Sequence, residues 1–168
     1  MSEAESRHVH FVRGELEASV FLGWSNKAHD GFVGHSYVGE WVNLGALTTT
    51  SDLKNNYSEI SLEKQAEKET TGLRKLGVFL GDHVKTRIGC LLGCGTIVGV
   101  GANVIDDPAV TAKWVPYFSW GWGPSAVAYE VERFLETAEI VFGRRGAAWT
   151  PEMAGLLREV HRSTRPGN

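Results

Sequence analysis

The sequence has few cysteines, no excess of basic residues and no long apolar run. Its two cysteines, Cys90 and Cys94, are too few for a disulfide framework, and they lack the second pair that a zinc site needs. Lys and Arg number 17 against 20 Asp and Glu, without a basic stripe, so a nucleic-acid partner is not expected. No segment approaches the roughly 18–20 apolar residues of a membrane span, and no signal-peptide pattern is present. We therefore expect one soluble, cytoplasmic domain with no membrane contact.

Glycine is the residue in excess, with 20 among 168 residues, and much of it falls in a six-residue repeat. Leu80, Thr86, Leu92, Val98 and Val104 recur at that spacing. Small or branched residues stand at the fifth place of each unit, and an earlier block repeats an aliphatic-glycine pair: Val84, Cys90, Thr96, Ala102; Leu22-Gly23, Val33-Gly34, Val38-Gly39, Leu44-Gly45. Such a period predicts an all-β solenoid of triangular coils that turn at small residues or at Gly and Asn. We expect about four to five coils of about 18 residues each, with the aliphatic residues pointing inward.

Three segments follow from the position of the repeats. Residues 9–110 are expected to form the β-helix, with a charged arm at about 58–75 that returns near Gly72 and either reaches a neighbouring subunit or stays solvated. Residues 111–124 are rich in aromatic residues and proline, which predicts an irregular segment. Residues 125–162 are expected to form two helices, with Ser125 capping the first and Thr150-Pro151 starting the second.

The segments NKAHDGFVGHSYVGEWVNLGA, TTTS, LKNNY, LGDHVKTRIG and PYFSWG give the chain a family resemblance. Over roughly residues 13–121 it resembles the acyltransferase half of the GlmU-like sugar-nucleotide transferases. The resemblance implies a left-handed parallel β-helix with a helical tail. It also implies transfer of an acetyl group from acetyl-CoA, or of another acyl group from its coenzyme A ester, to an amine of an amino sugar. Full-length relatives carry an N-terminal nucleotidyltransferase domain, which we expect to be absent here.

Individual site residues follow from the same resemblance. His29 occupies the place of the family's general base, the backbone N–H of Ala46 that of an oxyanion donor, and Asn43 that of an acceptor contact. This chemistry is coherent, because an ammonium acceptor must lose a proton before it attacks a thioester, and imidazole titrates near the working pH. Further candidates for acceptor binding are Lys27, Lys54, Asn55 and Tyr57. Lys85 and Arg87 are candidates for binding the cofactor's phosphates, beside the default interpretation of solvated surface charge.

The sequence departs from the family pattern at three positions. Asp52 stands where the family has Asn, Leu47 where it has Gly, and Ala18 near a basic residue that helps to hold the acceptor's phosphate. Asp52 is a candidate catalytic residue that either pairs with His29 and raises its basicity or recognises a cationic acceptor. A turn residue that satisfies local N–H groups is the structural alternative.

Two further hypotheses concern metal and assembly. His29, His35 and His83 suggest a metal site like that of the γ-class carbonic anhydrases, but the spacing of His29 and His35 differs from that family's pair, so no metal is expected. A homotrimer is expected, because Trp24 and Trp41, together with Phe32, are predicted to lie exposed outside the coil corners and the family builds its sites between subunits.

Two other functions stay open at this point. The first is a biosynthetic enzyme of the same fold, repurposed for a different acceptor or a carrier-protein donor. The second is a trimeric scaffold that is not catalytic.

Overall fold

A computed structural model describes residues 11–64, 67–105 and 112–165. It is a parallel β-solenoid of about six turns, consistent with a left-handed β-helix, followed by two helices. The predicted fold class is thereby confirmed. The solenoid has more turns than the four to five expected, because residues 112–120 add a further coil after the last clear repeat.

The coils are built from very short strands joined by turns. In chain order the strands β1 to β17 are Phe11–Val12, Glu15–Glu17, Val20–Phe21, Asn26–Lys27, Phe32–Gly34, Tyr37–Val38, Thr49–Thr50, Ser61–Lys64, Glu67–Thr70, Phe79–Leu80, Lys85–Thr86, Leu91–Leu92, Ile97–Val98, Asn103–Val104, Trp114–Val115, Ser119–Trp120 and Val127–Ala128. One face of the solenoid stacks β3, β6, β10, β13 and β15 in parallel. Its register places Val38, Leu80, Val98 and Val115 directly above one another.

The repeat residues fill the solenoid core as predicted. Leu80, Thr86, Leu92, Val98 and Val104 are all buried. The residues at the fifth place of each unit are buried as well: Val84, Cys90, Thr96 and Ala102. Because consecutive coils lie in register, each aliphatic side chain packs on its equivalents above and below.

Residues of the charged arm form an antiparallel hairpin. Strand β8 pairs with β9 from Ser61↔Thr70 to Lys64↔Glu67. Gly72, near which the arm is predicted to return, follows β9 and has a φ of 70°. The hairpin leaves the solenoid after Leu53, which bridges to Lys75 at its base.

One corner of the solenoid is aromatic, and the C-terminal helices cover it. Successive coils place Trp24, Trp41, His83, Gly101 and Phe118 at this aromatic corner, as the ladder of backbone hydrogen bonds between coils shows. Helix α1 spans Val131–Arg144 and helix α2 spans Pro151–Ser163.

This packing corrects the expectation that Trp24 and Trp41 are exposed. The ring of Trp41 lies 3.9 Å from that of Phe142 in α1 and stacks on Trp24 at 4.9 Å, and Trp41 is only 7% exposed. Trp24 and Phe32 are partly buried. The helix of the same chain covers surface that the sequence assigned to a subunit interface.

The two helices begin differently from each other. Ser125 lies in a 3-10 turn, Gly123–Ser125, and α1 begins at Val131, because Val127–Ala128 instead pairs antiparallel with β16. The predicted start of α2 is confirmed: the Thr150 hydroxyl accepts a hydrogen bond from the Met153 N–H at 3.3 Å. Among the described helices, none is both long and apolar enough to cross a membrane.

Candidate functional site

His29 and Ala46 lie on adjacent coils along one exposed edge of the solenoid. Asn26 bridges to Asn43, and the carbonyl of Asp30 accepts a hydrogen bond from the Leu47 N–H at 2.9 Å. His29 and Ala46 each directly precede a member of that last pair, so they occupy equivalent positions in consecutive coils. The His29 side chain is exposed. Two of the residues predicted to be catalytic therefore lie on adjacent coils at this edge, which we call the His29 edge.

The turn around Ala46 leaves its backbone N–H available. The Thr48 N–H donates to the Gly45 carbonyl at 3.1 Å, and Leu47 has a φ of 63°, the pattern of a type II turn with Ala46 at its second position. Within the described residues, the N–H of Ala46 donates to no other group. Leu47, which stands where the resembled family has Gly, occupies the left-handed position that glycine adopts most readily.

Asp52 lies beside His35 rather than His29. The Asp52 Oδ2 is 2.8 Å from the His35 Nδ1, and both side chains are largely buried. Glu17, one coil below, completes a cluster in which one ligand atom of each residue lies within 4.8 Å of the others. This is the geometry of a possible cation site, but Glu17 is also ion-paired with Lys75 at 3.1 Å. The carboxylates of the cluster therefore have partners within the protein.

Lys27 is fully buried although the sequence suggests a ligand contact. Its ammonium donates hydrogen bonds to the carbonyls of Arg13 at 3.2 Å and His29 at 2.6 Å. Burial lowers the pKa of Lys27, and the nearby Asp30 carboxylate opposes that shift in part. In this conformation the side chain links two coils and fixes the backbone at His29, and its assignment to acceptor binding stays a prediction.

Asn43 and Lys85 share a cavity of about 410 Å³ between the solenoid and α1. Both lie on the face that runs from the aromatic corner to the His29 edge, where Asn26, Asn43, Lys85 and Asn103 stack in register. The cavity is also lined by Trp24 and, from the C-terminal end of α1, by Arg144 and Arg145. Of these lining residues, the sequence predicts roles for Asn43 and Lys85 only. Burial lowers the pKa of Lys85 to about 8.

The remaining predicted site residues lie elsewhere. Lys54, Asn55 and Tyr57 form the turn that leads from the solenoid into the hairpin, where the Tyr57 N–H donates to the Lys54 carbonyl at 2.9 Å. The Lys54 ammonium donates to the Glu59 carbonyl. Arg87 follows Lys85 after strand β11 and is not among the described residues that line the cavity.

Sequence reasoning missed Arg144 and Arg145 as candidate site residues. Basic residues at the end of a helix are common, because they interact favourably with the helix dipole, so the pair carries no specific signal. The pairing of His35 with Asp52 was missed for a related reason. The two residues are 17 positions apart, close to one coil, but without the exact coil length the sequence cannot place them at one corner.

The sequence has homologues among bifunctional GlmU and sugar-1-phosphate nucleotidylyltransferase/acetyltransferase proteins, as the resemblance predicts. No protein-family model matches the chain. A "bifunctional sugar-1-phosphate nucleotidylyltransferase/acetyltransferase" of Sulfurisphaera tokodaii is 33% identical over 57% of this chain and 24% of its own length. The "bifunctional protein GlmU" of Methanocaldococcus jannaschii is 31% identical, and that of Methanococcus vannielii 32%, each over 61% of this chain and 26% of the relative. The chain therefore matches about a quarter of the length of these relatives.

Proposed function

We propose that this chain is an acyltransferase of the hexapeptide-repeat type. It transfers an acyl group, in the first instance acetyl, from a coenzyme A thioester to the amine of an amino sugar, a sugar nucleotide or another small amine. The observation that carries the proposal is the His29 edge, where an exposed imidazole and the N–H of Ala46, which donates to no described residue, lie on adjacent coils. A base and an oxyanion donor side by side are what acyl transfer requires.

Each of these groups has a defined task in the proposed reaction. His29 removes a proton from the acceptor's ammonium group, and the free amine attacks the thioester carbonyl carbon. The carbonyl oxygen becomes an oxyanion that the N–H of Ala46 stabilises. The C–S bond then breaks, the protonated His29 gives its proton to the departing thiolate, and the new amide nitrogen releases its excess proton to water. The buried ammonium of Lys27 supports this step indirectly by holding the carbonyl of His29.

Asp52 is proposed to act on the acceptor rather than on His29. Its carboxylate is hydrogen-bonded to His35, so it does not raise the basicity of His29 by direct contact. The Asp52 carboxylate, although largely buried, keeps 13% of its side chain exposed and offers a negative group to a cationic acceptor. Asn43, on the neighbouring face, is the proposed contact for a sugar hydroxyl.

We also propose that the active protein is a cytoplasmic homotrimer. Leu47 and Ile88 are 60% and 69% exposed, and they lie on neighbouring coils, since the Gly89 N–H donates to the Ala46 carbonyl at 2.7 Å. Large apolar side chains beside a candidate active site are typical of an interface that completes the site. Light scattering tests the trimer: Leu47→Ser with Ile88→Ser is expected to yield monomers, whereas a wild-type monomer contradicts the assembly.

The first test of the activity removes the base. Release of thiol from acetyl-CoA is measured with glucosamine 1-phosphate, glucosamine and a panel of small amines as acceptors. His29→Ala is expected to lower kcat by roughly 10²–10⁴. Because the side chain is exposed, the fold should be unaffected, which circular dichroism checks. Normal turnover in this variant removes the base assignment, and a wild-type protein that binds no acyl-CoA in a thermal-shift assay favours the scaffold function.

The second test removes the oxyanion donor without altering a side chain that binds ligand. Proline suits the second position of a type II turn and has no N–H, so Ala46→Pro is expected to fold and to lose roughly 10²–10³ in kcat. Ala46→Gly keeps the N–H and is the matched control, with activity near that of the wild type. Equal activity in the proline and glycine variants contradicts the role of Ala46.

A further inference from the structure

A second cavity lies at the last coil, where the C-terminal end of α2 meets the edge of the solenoid. Its volume is about 390 Å³, within the range of pockets that hold small organic ligands. Apolar side chains form much of its lining: Pro116, Phe118, Ala126 and Val127. Val127 is 60% exposed, so one wall presents apolar surface to solvent. The His29 edge belongs to a different corner on earlier coils, so this cavity is separate from the proposed acyltransferase site.

A buried histidine from α2 lines this cavity without a hydrogen-bond partner for its ring. His161 is only 8% exposed. Its ring packs edge-on against Phe118, with 4.9 Å between the ring centres, and neither ring nitrogen forms a hydrogen bond with a described residue. A buried polar group without a partner costs free energy, because burial removes the water that would otherwise bond to it. A polar ligand in the cavity would supply the missing hydrogen bond.

Two exposed side chains of opposite charge, Arg165 and Glu130, line the same cavity. Both act on the same imidazole: burial lowers the pKa of His161, Arg165 lowers it further, and Glu130 opposes the shift. Both charges therefore lie near His161. Neither side chain forms an ion pair or a hydrogen bond with a described residue. A cation and an anion that lie near one imidazole without partners suit a ligand that itself carries both charges.

The free edge of β17 adds backbone groups to the cavity. The Tyr129 N–H donates to the Phe118 carbonyl at 2.7 Å, and Ala128 lies opposite Ser119 in the next pair of the ladder. Successive pairs in an antiparallel ladder alternate between hydrogen-bonded and non-hydrogen-bonded, so the N–H and carbonyl of Ala128 point away from β16. Ala128 is exposed and lines the cavity. Its N–H can donate to a carboxylate, and its carbonyl can accept from an ammonium group.

We propose that this cavity binds an α-amino acid with an apolar side chain. The carboxylate lies at Arg165 and His161, the ammonium group at Glu130, and the side chain against Pro116 and Val127. This arrangement gives the imidazole a partner, pairs both charges and covers the apolar wall. No residue of this cavity takes part in the proposed acyl transfer, so the two sites can be tested separately.

Isothermal titration calorimetry of the full chain tests the site with three probes of similar shape. These are L-phenylalanine, 3-phenylpropanoate, which lacks the amine, and 2-phenylethylamine, which lacks the carboxylate. L-Phenylalanine is expected to bind roughly fivefold or more tightly than either of the others, since each of them lacks one charged contact. A probe that lacks one charge but binds as tightly as L-phenylalanine overturns the assignment of an amino acid.

Two variants test which residue binds which charge. Arg165→Gln is expected to weaken binding of L-phenylalanine and 3-phenylpropanoate roughly threefold to tenfold and to leave binding of 2-phenylethylamine unchanged. Glu130→Gln is expected to weaken binding of L-phenylalanine and 2-phenylethylamine by a similar factor and to leave binding of 3-phenylpropanoate unchanged. Both residues are exposed, so both variants should fold, which thermal melts check. Arg133→Gln and Glu136→Gln, at exposed residues of α1 outside the cavity, are the matched controls and should bind as the wild type does.

Two results overturn the proposed site. The first is that no probe binds at millimolar concentration. The second is that Arg165→Gln and Glu130→Gln bind all three probes as the wild type does. His29→Ala is expected to bind L-phenylalanine normally, so a failure of the proposed acyl transfer is distinguishable from a failure of this site.

Discussion

The solenoid and its helical cover have cores of different chemistry. The solenoid core is almost wholly aliphatic, with Val, Leu, Ala and Cys stacked in register. In the second core, beneath α1 and α2, three of the six described buried residues are aromatic: Phe118, Tyr129 and Phe134. A repeating coil needs the same small volume filled at every level, whereas a corner covered by two crossing helices offers irregular space that large rings fill.

The two cores meet at the aromatic corner, where the backbone is unusual. Trp24, Trp41, His83 and Phe118 have φ values of 64°, 61°, 61° and 45°, a region that non-glycine residues enter at a cost of about 1–2 kcal/mol each. Gly101 takes the equivalent place in the coil between His83 and Phe118. Large side chains stand in place of glycine at this corner because the helices bury them. The free energy of that burial offsets the backbone strain in the solenoid.

Removing the ring that joins the two cores is expected to have the largest effect on stability. Phe134 packs edge-on against His83 at 5.4 Å and Phe118 at 5.0 Å, and is 1% exposed. Phe134→Ala should lower the free energy of unfolding by about 3–5 kcal/mol in urea titration. Leu156→Ala, at an exposed leucine of α2, is the control and should change it by less than about 0.5 kcal/mol. A loss below about 1 kcal/mol for Phe134→Ala would mean that the cover is not coupled to the solenoid.

The solenoid core should respond to the same kind of truncation somewhat less strongly. Leu80 is 1% exposed and stacks between Val38 and Val98. Leu80→Ala is expected to cost about 2–4 kcal/mol, since the rigid coils on either side cannot collapse into the void. Leu91→Ala, next to the buried Leu92 but 46% exposed, should be nearly neutral. Similar costs for the two leucine variants would show that inward and outward positions are not distinguished as the register requires.

The covered corner should make the protein sensitive to acid through His83. Burial lowers the pKa of His83 to about 3, with a smaller contribution from Lys85, and its Nδ1 has no partner among the described residues. Between pH 6.5 and 3 the unfolded chain binds the proton that the folded protein excludes, so stability should fall as the pH falls through this window. His83→Asn should flatten this part of the pH profile of stability, and asparagine tolerates the left-handed backbone at this position. His29→Asn is the matched exposed control, and a profile unchanged by His83→Asn contradicts the assignment.

Lys85 should have a smaller effect on the pH dependence of stability, and in the alkaline rather than the acidic range. Its folded pKa of about 8 lies below the usual 10.5, so between these values the unfolded chain holds the proton more tightly and stability should rise with pH. Below pH 8 the full penalty of the buried charge is present. Lys85→Met should therefore be more stable than the wild type at pH 7 and should lose the upward slope above pH 8. Urea titrations at pH 7 and 10 measure both effects, and a wild-type protein whose stability does not rise in this range contradicts the burial of the charge.

The two cores also differ in how well the sequence predicts them. The six-residue spacing from Leu80 to Val104 identifies the inward residues of the solenoid, because each position repeats the same environment. The start of α1 was placed too early, at Ser125, because its apolar spacing continues backwards into residues that pair with β16 instead. Thr150 and Pro151 located α2 correctly, since an N-cap depends only on neighbouring residues.

The candidate site likewise has one part that the sequence predicts and one part that it does not. The motif places His29, Asn43 and Ala46 on consecutive coils, and the structure sets His29 and Ala46 at one edge because the coil period is regular there. The motif cannot show that Lys27 turns inward to two carbonyls, because that depends on the path of the coil below.

The amino-acid sequence by itself determined the six-residue repeat and the aliphatic core, because both are encoded by short, repeated spacings, whereas the residues at the His29 edge were indicated by the family resemblance. Only the tertiary structure decided that Asp52 bonds to His35, that Trp41 is covered, and that Lys85 shares a cavity with Arg144. These contacts join residues from different coils or from a helix beyond the repeats. The cover over Trp41 and the cavity at Lys85 depend on the corner against which α1 packs, and no local pattern specifies that corner.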